Sequence, residues 1–116
     1  MYTDKIMNIL INQNLNETLN KGRLNKLDDT EAKAVKDIAF FSFQEAQIRL
    51  DQIESISNAL TTALHHTDEG IFNPIKDGLQ IAHWLTSEAR TLQALLSMHE
   101  ESLGVERTQG RLCQNT

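Results

Sequence analysis

A chain of 116 residues with a formal net charge of −5 and a sequence pI near 5.3 has the size of one domain, and its acidity argues against a nucleic-acid backbone as the main partner. No stretch approaches the run of about 18 apolar residues that a membrane-spanning helix needs, and the N-terminus lacks the features of a secretion signal. The sequence therefore predicts a soluble protein that is neither secreted nor embedded in a membrane.

The first segment is rich in asparagine but keeps some helical periodicity. We expect a helix from about Asp4 to Asn20, closed by Gly22, because glycine commonly ends helices. The apolar run Ile6 to Ile11 is too short to exclude a strand there.

Two apolar heptad stripes separated by one short turn dominate the rest of the chain. The first stripe holds Ala46, Leu50, Ile53, Ser57, Leu60 and Leu64, and the second holds Ile75, Ala82, Leu85, Ala89, Leu92 and Leu96. Such spacing is typical of helices that pack along the stripe. The sequence predicts an antiparallel α-helical hairpin over about 42–103, and hence an all-α bundle of three to four helices built on it.

Local signals predict where the hairpin helices begin and end. Ser42 and Glu45 have the Ser-x-x-Glu spacing of a capping box, so the first helix is expected to start at Ser42. Residues 29–41 keep the same register without Gly or Pro, and the alternative is one helix of more than 35 residues. That helix should end near His66, ahead of Gly70, and the second should begin at Asn73-Pro74.

The second hairpin helix carries more apolar surface than its partner can cover. Ile81, Trp84, Leu95 and Met98 flank its heptad stripe, and Trp84 is the only tryptophan. Trp84 either packs as core beneath the N-terminal helix or forms a dimer or partner surface with its neighbours. We predict a partner-binding surface made of Ile81, Trp84, Glu88, Leu95 and Met98, and a homodimer.

Residues 104–116 are polar, contain two glycines and are expected to form a disordered tail after a single domain over 1–103. The only cysteine, Cys113, lies in this tail, so no disulfide can form within one copy. A reducing, cytoplasmic compartment is the natural inference.

No motif in the chain points to catalysis, a cofactor or a metal. The histidines at 65, 66, 83 and 99 fall in groups more than two helical turns apart along the predicted hairpin, so they cannot share one ion. The Glu-x-x-His motif of di-iron bundles and glycine-rich phosphate loops are both absent. We therefore expect a protein that is not an enzyme.

Two functions fit this pattern. The first is a non-enzymatic cytoplasmic adaptor or regulator that acts through a helical surface. The second is a small acidic inhibitor, encoded by a phage or plasmid, that blocks a host nucleic-acid-processing complex; the chain resembles such inhibitors in composition and size only. The inhibitor needs its carboxylates in one exposed row, with candidates at Asp51, Glu54, Asp77, Glu88, Glu100 and Glu101.

Overall fold

The computed structural model describes residues 2–12, 14–66 and 72–114, which form four helices and no strand. The helices are α1 (Thr3–Asn12), α2 (Leu15–Gly22), α3 (Asp29–His65) and α4 (Lys76–Gln114). The long helices α3 and α4 pack against each other. The predicted all-α fold built on a helical hairpin is confirmed.

The N-terminal segment forms two helices where the sequence predicted one. Asn14, which precedes α2, has a left-handed backbone with φ of 44°, a conformation that asparagine tolerates better than most residues. A left-handed residue cannot continue an α-helix, so α2 starts afresh at Leu15. Helix α2 ends close to the predicted end at Asn20, but Gly22 is its last helical residue and the C-cap is Arg23 with a right-handed backbone at φ of −73°, so the glycine does not close the helix as predicted.

Helix α3 begins at a capping box that sequence analysis overlooked. The Asp28 carboxylate accepts a hydrogen bond from the Glu31 backbone N–H at 2.8 Å, and the Glu31 carboxylate accepts one from the Asp28 N–H at 3.2 Å. The predicted start at Ser42 is wrong, since Ser42 is fully buried inside the helix and donates its hydroxyl proton to the Ile38 carbonyl. The alternative of one long helix is confirmed, with 37 residues in α3.

The predicted boundaries around the hairpin turn are confirmed. Helix α3 ends at His65. The Asn73 side-chain oxygen accepts hydrogen bonds from the backbone N–H groups of Ile75 at 3.0 Å and Lys76 at 3.1 Å, as an N-cap residue does. Gly70 lies outside the described residues.

The packing divides the chain into two compact units, of which the first comprises the described residues of 1–46 and 94–116. This unit holds all the buried side chains found among the described residues. Its apolar core includes Ile6, Leu15, Leu19, Leu27, Val35, Ile38, Leu95 and Val105. The expectation of a single domain stays a prediction.

A buried carboxylate joins α1 to α3 within this unit. Glu45 is 1% exposed and accepts hydrogen bonds from the Tyr2 backbone N–H at 3.2 Å and the Thr3 hydroxyl at 3.1 Å. A negative charge is favourable at a helix N-terminus, where backbone N–H groups have no partner within the helix. Glu45 therefore helps to anchor the start of α1.

The predicted disordered tail from residue 104 is wrong, because α4 continues through Gln114. Val105 is 1% exposed in the core of the first unit. The Gln109 side chain donates to the carbonyls of Gly22 at 2.6 Å and Asn25 at 2.8 Å, and its oxygen accepts from the Leu27 N–H at 2.8 Å. These contacts hold this end of α4 against the loop after α2.

The face along which α4 packs also differs from the prediction. Leu96 is 42% exposed and Ile75 is 78% exposed, and Ala82 and Ala89 of the same predicted stripe are exposed as well. Protected positions that repeat every seven residues are Ile81, Glu88, Leu95, Ser102 and Gln109. The packing stripe is thus rotated towards Ile81 and Glu88, although Leu85 and Leu92 of the predicted stripe are also half-buried.

Candidate functional site

The second compact unit is a pair of helical segments that we call the arm, formed by the described residues of Gln47–Gln93. The arm contains the end of α3 and the start of α4. None of its described residues is buried. Two helices alone cannot enclose a core, so the arm leaves apolar side chains in contact with water.

An ion pair holds the two helices of the arm together. Arg49 donates from one guanidinium nitrogen, Nη1, to both carboxylate oxygens of Glu88, at 2.9 and 2.8 Å. The Arg49 side chain is 19% exposed and that of Glu88 is 12% exposed. Partial exclusion of water strengthens the attraction between these charges and makes their separation costly.

One side of the arm carries a shallow groove of about 430 Å³. Six residues line this Trp84 groove, namely Ile48, Asp51, Gln52, Ser55, Ile56 and Trp84. Five of them belong to α3, where steps of three and four residues bring them to one side of the helix. Trp84 comes from α4 and is half-buried.

The predicted partner-binding residues divide between the two units. Ile81, Trp84 and Glu88 belong to the arm, while Leu95 and Met98 belong to the other unit. Ile81 and Met98 are half-buried.

Two of the predicted residues serve to pack the chain itself. Leu95 is 7% exposed within the core, so it cannot contribute to an open surface in this conformation. Glu88 is committed to its ion pair with Arg49. In this conformation Leu95 therefore belongs to the core and Glu88 to the contact between the two helices of the arm, and their part in a partner surface stays a prediction.

Four residues of the groove were missed by sequence reasoning, and so was Arg49. Ile48, Gln52 and Ser55 fall outside the predicted heptad stripe of α3, and Ile56 also lies beside it. A usable signal did exist, because Arg49 is the only Lys or Arg between Ile38 and Ile75. A basic residue that stands alone in such a long stretch of sequence is a candidate for a specific ion pair.

The acidic residues proposed as one exposed row have different environments. Asp51, Glu54, Glu100 and Glu101 are exposed. The Asp77 carboxylate accepts a hydrogen bond from the Asn73 backbone N–H at 2.8 Å. With Glu88 also engaged, two of the six carboxylates have structural partners inside the arm.

Histidines take part in helix contacts. The Nδ1–H groups of His65 and His99 donate to the carbonyls of Thr61 and Ala39, both at 2.7 Å. Across the described ranges, no three His, Cys, Asp or Glu side chains are grouped as metal ligands.

Comparisons with known proteins identify no match to the chain among protein-family models, curated proteins or solved structures. Of the four described helices, none combines the length and apolar character needed to cross a bilayer.

Proposed function

We propose that the protein is a non-enzymatic interaction module, a small adaptor or regulator, that binds a partner protein through its arm. The observation that carries this proposal is the arm itself, a helical pair without a buried residue that displays the only tryptophan of the chain in a groove. Tryptophan is enriched among the residues that dominate binding energy at protein interfaces.

The chemistry of the Trp84 groove favours an amphipathic helix as its occupant. Ile48, Ile56 and Trp84 offer apolar surface for side chains spaced three or four residues apart on a bound helix. Among the six described residues that line the groove, Asp51 is the only charged one, and it is exposed. A partner helix with Lys or Arg beside its apolar stripe therefore complements the groove in both shape and charge.

The second candidate, an acidic inhibitor of a nucleic-acid-processing complex, has less support. Mimicry of phosphates requires carboxylates that are free to face the target. Glu88 is held by Arg49, and Asp77 accepts a backbone hydrogen bond.

The proposal also covers self-association and cellular location. A homodimer is expected, since an arm with so much open apolar surface gains stability by pairing with another copy. We assign the activity to the cytoplasm because the single cysteine suits a reducing compartment.

A matched pair of variants tests partner binding. Ser55→Arg places a long charged side chain in the Trp84 groove, whereas Ser57→Arg makes the same change two residues away on a different side of α3. Both serines are exposed, so both variants are expected to fold. Proteins captured by the wild type from a lysate of the source organism are identified by mass spectrometry, purified and titrated against each variant.

The titration is followed by the fluorescence of Trp84, which reports occupancy of the groove without a label. We expect one captured protein to shift this emission and to bind Ser57→Arg like the wild type and Ser55→Arg at least tenfold more weakly. A captured protein that binds Ser55→Arg as tightly as the wild type, or that leaves the emission unchanged, contradicts docking at the groove. Failure to capture any protein contradicts the adaptor function.

A further inference from the structure

A second side of the arm presents an uncharged apolar face. On α3 it consists of Leu50, Ile53, Ser57, Leu60 and Leu64, spaced alternately by three and four residues. Leu50 is 44% exposed and Leu64 is 51% exposed. This is the stripe that the sequence predicted to lie inside the hairpin.

The start of α4 contributes the other half of this face. Its residues are Gly78, Ala82, Leu85, Ala89 and Leu92, again at steps of three and four. Ala82 and Ala89 are exposed, and the rest are half-buried. We call the ten positions on the two helices the Leu50 face.

The Arg49–Glu88 ion pair fixes the rotation of both helices and hence the side on which the Leu50 face lies. Arg49 and Glu88 point at each other along the line where the helices meet. Each further residue turns by about 100°, and in an antiparallel pair the residues after Arg49 and after Glu88 turn to the same side. Leu50 and Ala89 therefore share one side of the arm, and Ile48 and Trp84 of the groove share the other.

The two halves of the Leu50 face differ in side-chain size in a way that suits a second copy. The α3 half is dominated by leucine and isoleucine, while the α4 half alternates leucine with alanine and glycine. A Cβ placed on Gly78 would meet nothing within 4 Å, so the space beside this residue is open. In a dimer whose two-fold axis is parallel to the helices, α3 of each copy packs on α4 of the other copy. The large side chains of α3 then face the small side chains of α4, and the symmetry repeats this contact once.

The apolar spacing also matches this partner. Steps of three and four residues on both helices are the pattern of left-handed four-helix bundles, in which two helical pairs stack face to face. No charged residue occupies any of the ten positions. A stacked second arm would thus bury apolar side chains without burying a charge.

The size of the face predicts the strength of the pairing. From Leu50 to Leu64 the helix rises about 21 Å, and two helices side by side are about 20 Å wide, which gives a footprint of roughly 400 Å² per copy. Specific interfaces bury upwards of about 1,000 Å² in total, counted over both partners. Two such footprints total about 800 Å², which is below that value and typical of weak association, so we expect a weak dimer with a dissociation constant of micromolar order.

We infer that the arms of two copies stack through their Leu50 faces to form a four-helix bundle, which leaves each Trp84 groove open on the outside. This inference rests on the proposed function, since it identifies a second copy as one protein partner of the arm. The two sides of the arm then have separate roles, self-association on one and partner docking on the other.

Sedimentation equilibrium of the full chain tests the inference over about 1 to 100 µM, the range in which micromolar dimers dissociate. We expect the wild-type mass to rise from 13.2 kDa towards twice that value. Ser57→Arg should raise the dimer dissociation constant at least tenfold, because its charge would be buried between the copies. Ser55→Arg should dimerise like the wild type.

A second variant, on the other helix, shows whether a loss of dimerisation in Ser57→Arg is caused by a local folding defect. Ala89→Glu alters an exposed position of α4 and should weaken the dimer to a similar degree, with helicity by circular dichroism unchanged. If Ser57→Arg loses helicity, the dimer dissociation constant of Ala89→Glu alone tests the inference. A wild type that stays monomeric throughout, or a dimer that neither variant weakens, overturns the inference.

The same variants separate this inference from the proposed function. If Ser55→Arg loses partner binding but still dimerises, the result supports docking of a partner at the Trp84 groove, whether or not the Leu50 face pairs. Loss of dimerisation by Ser55→Arg to the same extent as by Ser57→Arg would contradict the assignment of separate roles to the two sides.

Discussion

Arg49 and Glu88 form the ion pair that links the two helices of the arm, with Nη1 of Arg49 2.9 and 2.8 Å from the two carboxylate oxygens of Glu88. Both side chains are less than one fifth exposed. This pair determines which sides of α3 and α4 meet and, by helix geometry, which residues form the Trp84 groove and the Leu50 face.

Glu88→Ala is expected to lower the free energy of unfolding by roughly 1–3 kcal/mol, because the Arg49 guanidinium loses this partner while remaining largely shielded from water. Urea unfolding measures the change. Glu54→Ala, an exposed carboxylate of the same unit, is the control and should change stability by less than about 0.5 kcal/mol. An equal loss of unfolding free energy in the two variants would mean that the ion pair makes no specific contribution to stability.

The capping box of α3 gives a second prediction. Asp28→Ala removes the side-chain acceptor of the Glu31 N–H and should destabilise the protein by about 1 kcal/mol. Asp28→Asn, which retains an acceptor oxygen, should be close to the wild type in thermal unfolding. If Asn and Ala have the same effect at this position, the hydrogen bond is not what starts the helix.

Gly22 is close to two side chains that leave no room for a methyl group. A Cβ there would lie 2.6 Å from Val105 Cγ1 and 2.9 Å from Leu27 Cδ1. Gly22→Ala should therefore destabilise by about 1–3 kcal/mol in chemical denaturation, since buried side chains must shift. Gly110→Ala is the matched control, because a Cβ meets nothing within 4 Å at that helical position, and it should stabilise by about 0.5–1 kcal/mol.

The sequence was sufficient to predict those features of the fold that depend on neighbouring residues. Asn73-Pro74 starts α4 because an N-cap side chain acts on backbone N–H groups within one helical turn. One of the two predictions for α3 was a single helix of more than 35 residues, because no Gly or Pro between Asp29 and Ser42 interrupts a helix.

The rotation of α4 could not be predicted in the same way. Two candidate stripes lie side by side on this helix, one through Leu85 and Ala89 and the other through Ile81 and Glu88. The first is more apolar, and a sequence pattern favours it because a charge in a packing stripe is costly. Arg49 removes that cost by pairing with Glu88. The two residues are 39 positions apart, so a sequence pattern read over neighbouring residues cannot reveal their ion pair.

The ion pair of Lys21 with Glu31 gives a prediction about pH. A 2.8 Å hydrogen bond from Lys21 to the Glu31 carboxylate, aided by its negative charge, holds the pKa of Lys21 above its ordinary value of 10.5. A raised pKa means that the pair stabilises the fold below pH 10.5 and that this contribution is lost as the pH rises through the raised value.

Glu31→Gln should move the pKa of Lys21 down towards 10.5, because the charge that favours the ammonium form is removed. An NMR titration of the Lys21 side chain detects the shift. Glu100→Gln, which also neutralises an exposed carboxylate, serves as the comparison and should leave Lys21 unaltered. An unchanged titration in Glu31→Gln would show that the ion pair does not persist in solution.

The three hydrogen bonds of Gln109 have a consequence for how the chain folds as it is made. Their partners, Gly22, Asn25 and Leu27, precede Gln109 by 87, 84 and 82 residues. At about 5–20 residues per second, a ribosome needs roughly 4–17 s to add that length of chain. During that interval the backbone groups of Gly22, Asn25 and Leu27 lack these partners, so the loop after α2 can take its final arrangement only after the end of α4 has been made.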